Sequence, residues 1–245
     1  MLMNNFSLRF LSGNALKFIA AAVMLVDHVG QILLPNVLWL RYIGRLAMPI
    51  FAFLIAEGCR YTRNKLVHFL TVSGIGLACQ IVYAIINPEN VIFSILITFS
   101  FAILIVYALE FMKKCFVFGE NTVKRCASVA LFLIAVGIAY VFCHFFTVDY
   151  GFFGCILPAF AALPVSVSGR RRAEEHVYMI LSFTIGLVIY VFTSGKILIT
   201  FYALAAPLLL ACYNGKKGKL KTKYFFYIFY PAHLAVLTGI GMLIA

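Results

Sequence analysis

Residues 17–31 read KFIAAAVMLVDHVGQ: a lysine, nine apolar residues, then Asp27 and His28 inside the same apolar stretch, which runs on to residue 34. About 20 such residues are what an α-helix needs to cross a hydrocarbon core of ~30 Å. An ionisable side chain at the centre of that helix costs at least ~2.5–3.5 kcal/mol, and usually faces an interior cavity. A chain that places Asp27 and His28 there must have a use for them.

The same pattern recurs from end to end. The chain is 64% hydrophobic and 11% charged, against about 25% charged in an ordinary soluble domain, and its mean hydropathy is +1.03. Nine spans are expected, at 15–34, 42–59, 66–87, 91–111, 126–147, 151–167, 176–193, 196–213 and 224–244; Pro158 and Pro164 interrupt the sixth. Continuous apolar blocks exclude a transmembrane β-barrel, whose segments of about ten residues alternate polar and apolar. The reading is an all-α, polytopic transmembrane helix bundle of about nine helices, with residues 1–245 forming one integral membrane domain in the cell membrane.

The charge supports an orientation. All but three of the 20 lysines and arginines fall before the first span, at its inner end (Lys17), or in the loops after spans two, four, six and eight; Arg41, Arg45 and Lys196 are the exceptions. Basic loops stay cytoplasmic, so the N-terminus is expected in the cytoplasm and the C-terminus outside. The net charge of +12 is thereby explained without nucleic acid, for which no binding motif is present. The seven cysteines show no C-x-x-C and read as small buried hydrophobes, with neither metal-ligand spacing nor a disulfide framework. Arg9 and Lys17 before an apolar run imitate a signal peptide, yet no small-residue cleavage site follows, so the first helix is expected to remain.

Helix rise places the polar groups in depth. With Lys17 at the inner edge, Asp27 and His28 lie ~15–17 Å up, near mid-bilayer. Lys17 and His28 are eleven residues apart, about three turns, and so share a face. Arg41 and Arg45 share a face of the second span, and Arg45 is a candidate partner for Asp27. His233, ten residues above Lys223, lies at the level of His28; Tyr227 and Tyr230 sit below it, and Pro231 frees a backbone carbonyl nearby. Asp27 is a candidate to set the tautomer of His28 and raise its basicity, as a general base requires. Glu57, Arg60 and Arg63 form a cluster at the inner boundary of a kind that also clamps phosphates. His68 and His176, at loop edges, are expected to be solvated. Structural roles compete with each of these: a register-fixing Asp27–Arg45 pair, a His233 that only satisfies a carbonyl.

Three stretches carry a resemblance. LKFIAAAVMLVDHVGQIL with LRYIGRLAMPIFAFLIAEGCRYTR, then VDYGFFGCIL, then CYNGKKG followed by KYFFYIFYPAHLAVL, resemble the TraX family, named for the enzyme that acetylates the N-terminus of F-type pilin. The match covers nearly the whole chain. That family is similar to the acyltransferase-3 membrane enzymes, whose first helix carries a basic residue, ten arbitrary residues and a His, a spacing Lys17 and His28 reproduce. The resemblance implies that His28 is catalytic, that Lys17 helps hold a cytoplasmic acyl-CoA, and that the acceptor is reached from the outer face.

The expected activity is transfer of an acyl group, acetyl foremost, from acetyl-CoA to an amine or hydroxyl of a protein N-terminus, a glycan or a small molecule. Lys17 with Arg60, Arg63 and Glu57 is the candidate donor site. His28, oriented by Asp27, is the base, and His233, Tyr230 or Arg45 stabilises the oxyanion. A proton-coupled transporter using the same polar groups and a non-catalytic pilus or conjugation assembly factor are the alternatives.

Overall fold

The computed structural model describes residues 9–86, 92–164, 172–219 and 223–244. Arg170, Arg171 and Lys221, read above as orienting charges, lie outside the described residues, as does the side chain of Tyr227. The described chain is all-α: α1 Gly13–Ile32, α2 Leu38–Gly44, α3 Ala47–Tyr61, α4 Lys65–Ile86, α5 Ile95–Val117, α6 Thr122–Phe145, α7 Gly151–Ala162, α8 Arg172–Thr193, α9 Ile197–Thr200, a 3-10 turn Phe201–Ala205, α10 Ala206–Ala211 and α11 Lys223–Ile244.

Among the described residues six segments are long and apolar enough to cross a bilayer, namely 13–32, 38–61, 65–84, 95–117, 122–145 and 174–193; 151–162, 197–211 and 228–244 are shorter apolar helices. The chain is therefore a multi-pass membrane protein. Large apolar side chains on α4 and α6, among them Leu70, Leu77, Ile81, Leu133, Ile134 and Ile138, are exposed, as lipid-facing residues must be.

Three expected spans differ from the continuous helices read in the sequence. The second is broken into α2 and α3. Pro49 has no N–H to give the Arg45 carbonyl, and its ring crowds that carbonyl; the chain answers with short-range bonds from Arg45 N to Tyr42 O (3.3 Å) and Leu46 N to Ile43 O (3.2 Å). The sixth yields only the twelve residues of α7, ~18 Å of helix. The eighth is a relay of short pieces, with a proline in the first turn of α10.

The chain divides into two compact units, residues 1–54 with 195–245 and residues 55–194. In the first, α1 packs against α2 and α11, and α2 against α9. Its backbone is tied where the chain enters α1: Leu11 N donates to Cys212 O and Asn214 N to Leu11 O, both at 2.9 Å. In the second, α5 is the core element. It packs against α4, α6 and α7, and α7 packs against α8; Ile103, Ile105 and Val106 have no exposed surface. Gly186 of α8 leaves room for the Phe160 ring of α7 where a Cβ would collide. The Asp149-Tyr150-Gly151 element is held by Asp149 N to Phe93 O (2.8 Å) and by Thr98 Oγ1 donating to Asp149 O (2.5 Å). Tyr150 and Gly151 both take positive φ, 65° and 59°, which turns the chain sharply into α7.

Candidate active site

Asp27 sits on α1 where α2 comes closest. Gly30 and Gly44 make that approach possible. A Cβ on Gly30 would stand 2.7 Å from the Leu40 Cβ, and one on Gly44 would overlap the Asp27 side chain itself. The buried carboxylate, 6% exposed, accepts from Arg45 Nη2 at 2.6 Å on both oxygens and from Arg41 Nη1 at 3.1 Å on Oδ2. Arg41 Nη1 also reaches Gln31 Oε1 at 2.7 Å and the Asp27 carbonyl at 3.3 Å. Two guanidiniums on successive turns thus satisfy both oxygens of one buried carboxylate, the hydrogen bonding a charge needs away from water.

His28 and His233 meet. His233 Nε2 and His28 Nδ1 are 2.9 Å apart, and His233 Nδ1 lies 2.7 Å from the Phe229 carbonyl one turn earlier on α11. This is not the carbonyl that Pro231 deprives of its donor, which belongs to residue 227; His233 uses the next accessible one on its own face. Phe229 stacks on the His233 ring at 4.8 Å between centroids, and Tyr230 stands edge-on to it at 5.8 Å. The polarity of the chain of hydrogen bonds follows from chemistry. A carbonyl only accepts, so His233 Nδ1 carries the proton and donates. In a neutral ring Nε2 then accepts, which makes His28 Nδ1 the donor to it. His28 Nε2 is left with the lone pair. His233 is buried, 6% exposed, and His28 is half-buried.

The expectation that Asp27 orients His28 is therefore corrected. Its carboxylate oxygens face Arg41 and Arg45, and the group hydrogen-bonded to His28 is His233. Adjacent residues on a helix point about 100° apart, so neighbours in sequence are poor candidates to meet. The depth argument that put His28 and His233 on one level was the better signal. What the sequence reading missed was Arg41 as a second partner of Asp27, and the glycines that let α2 approach. The four-residue spacing of Arg41 and Arg45 with only one acidic residue in reach was the available clue.

Lys17 lies on α1, half-buried, its ammonium 5.9 Å from the centroid of Phe226. Glu57, Arg60 and Arg63 belong to the second unit. Glu57 is buried at 8%; Arg60 pairs through Nη2 with Glu175 of α8 and contacts the Met179 sulfur at 3.4 Å; Arg63 is exposed between α3 and α4. His68 and His176 are not the solvated residues expected. His68 Nδ1 is 2.8 Å from the Tyr107 hydroxyl, and His176 is buried at 8%.

Comparison with known proteins places the chain in a family. The family profile described as TraX protein matches residues 12–241. A protein of Dichelobacter nodosus described as "Probable fimbrial assembly protein FimC, serogroup H1" is similar, 24% identical over 246 residues that cover 93% of this chain and 94% of that one. No solved structure matches. A match over nearly the full length, through both α1 with its Lys17 and His28 and α11 with its His233, means that the chain belongs to the TraX family of membrane acetyltransferases.

Proposed function

We propose that His28 is the general base of an acetyl transfer from acetyl-CoA, taken from the cytoplasmic side, to an amine or hydroxyl of an acceptor reached from the outer face. The N-terminus is cytoplasmic and the C-terminus outside in this reading, which the loop charges support. The observation that carries it is the hydrogen-bond chain from His28 Nδ1 through His233 to the Phe229 carbonyl, which leaves His28 Nε2 as the basic atom.

His28 Nε2 takes the proton of the acceptor as its nitrogen or oxygen forms the new acyl bond. His28 then returns that proton to the sulfur as the carbon–sulfur bond breaks, so no net proton remains on the enzyme. The bound donor supplies the activated thioester. His233 acts as a positioning residue. Three groups stand as candidate oxyanion donors: Tyr230, edge-on to His233 at 5.8 Å, His233 itself and Arg45. Asp27, Arg41 and Arg45 lock α1 to α2 beside the base. Lys17 suits the anionic end of the donor, since the only acidic residue in segments 1–54 and 195–245 is Asp27, already paired with two arginines.

The fimbrial-assembly description of the Dichelobacter relative favours the amine of a fibre subunit as acceptor; it also motivates the rival reading of a non-catalytic assembly factor. His28→Ala separates them. Acetyl transfer from radiolabelled acetyl-CoA in membranes should be lost while the protein stays inserted. Transfer retained in that variant refutes the role of His28; a transfer-null wild type with an insertion-competent, assembly-defective variant supports the rival.

A further inference from the structure

We infer that the Lys216-Lys217-Gly218 turn, docked on the first turn of α1 beside Lys17, binds the phosphate end of the acyl donor, an inference that rests on the acyl-CoA reading above. The docking is specific. Gly13 N donates to Lys216 O at 2.8 Å and Asn14 N to Lys217 O at 2.9 Å, while Lys216 N donates to Asn214 Oδ1 at 2.9 Å. Gly218 takes φ +92°, and a Cβ there would stand 2.9 Å from Ser12 Oγ and 3.1 Å from Asn14 Nδ2. Only glycine lets the turn lie this close.

The helix end itself is not the binding group, because its first donors already serve the two lysine carbonyls and the Ser12 side chain. The side chains are. Gly13 and Lys17 are one turn apart and share a face, and the Lys217 Cα lies 3.7 Å from where a Gly13 Cβ would be. Lys216, Lys217 and Lys219 are exposed. Three lysines of one turn are thereby docked by their backbone on the start of α1, one helical turn before Lys17. No acidic residue other than Asp27 exists in segments 1–54 and 195–245, so this charge has no compensation within its own unit and suits a ligand with several negative charges, which phosphates supply.

Length agrees. Lys17 and His28 are ~16.5 Å apart along α1 at 1.5 Å per residue. A pantetheine arm has about thirteen bonds between diphosphate and sulfur; at about three bonds per 3.5 Å of extended chain it spans ~15 Å. A donor whose diphosphate rests at the level of Lys17 brings its thioester to the level of His28; the turn docks on Gly13 and Asn14, about one helical turn or ~6 Å farther out, where the donor's remaining phosphate would lie. A phosphate in a lipid headgroup offers the same charge without that arm, so the two sources are distinguishable.

The test is binding by purified protein in neutral detergent, using CoA, adenosine 3′,5′-bisphosphate and phosphate-free pantetheine as probes. In the Lys216→Ala, Lys217→Ala double variant, CoA and the bisphosphate should bind at least about tenfold more weakly, the scale of two exposed charge-assisted contacts. Pantetheine binding should be unchanged, and the double arginine variant should retain wild-type affinity. Unchanged CoA and bisphosphate affinity overturns the inference and leaves the His28 reading standing. So does a variant that loses association with vesicles of anionic lipid yet binds CoA normally, since the turn is then a headgroup contact. A wild-type protein that binds no CoA overturns this inference and the donor reading together.

Discussion

Replacing His233 with alanine removes the acceptor that holds the His28 Nδ1–H, and replacing it with glutamine puts an amide oxygen where Nε2 stood. In the alanine variant the His28 ring loses its 2.9 Å partner and is free to carry its proton on either nitrogen. A buried donor left without its partner costs about 1–3 kcal/mol, and a barrier raised by that amount slows turnover about 5- to 150-fold. Removing His28 itself takes away the base, which is worth about 10²–10⁴-fold. The expected ranking is therefore wild type, then His233→Gln within a few fold, then His233→Ala, then His28→Ala. KM for acetyl-CoA should stay flat across the series, because none of these changes touches the phosphate end. The assay is label transfer from radiolabelled acetyl-CoA in inside-out vesicles, normalised to inserted protein. A glutamine variant as slow as alanine, at equal insertion, or an alanine variant as fast as wild type, refutes the orienting role of His233. Nitrogen-15 NMR of histidine-labelled protein gives an independent reading: the proton of His28 should sit on Nδ1.

The Asp27 cage makes two further predictions. Gly44→Ala drives a methyl group into the Asp27 side chain, and should lower stability by about 1–3 kcal/mol, the usual cost of overpacking; unchanged thermal unfolding in detergent contradicts the tight α1–α2 approach. Asp27→Asn keeps the shape but removes the negative charge that Arg41 and Arg45 pair with; their side chains are 24% and 14% exposed. Removing one partner of a buried pair costs ~3–5 kcal/mol, here near the lower end because of that exposure. The folded yield should fall, and Asp27→Asn with Arg45→Met should recover part of it. A fully folded single variant that has lost only transfer assigns Asp27 to the chemistry instead.

By itself the sequence determined the class and the level. Apolar runs of membrane-crossing length, basic loops on alternate turns and two histidines at equal heights above their flanking lysines are one-dimensional properties. Helix rise converts them directly into depth, so His28 and His233 could be placed on one plane without knowing the neighbours of either. Which groups face each other on that plane is a question of helix rotation and approach, and only the tertiary structure decides it. Asp27 and His28 are adjacent in sequence and yet diverge by about 100° around α1. One turns to the guanidiniums that α2 brings in over Gly30 and Gly44, and the other to the imidazole that α11 carries. The broken second span belongs to the same category: Pro49 announces a weak point, but the position of Arg41 and Arg45 relative to Asp27 depends on how the chain closes over it. The Lys216-Lys217-Gly218 turn counted in the sequence only as part of a basic, orienting loop, because its composition is that of a loop. Its role as a cap on α1 arises from backbone hydrogen bonds between segments about 200 residues apart, a contact that the local pattern does not encode.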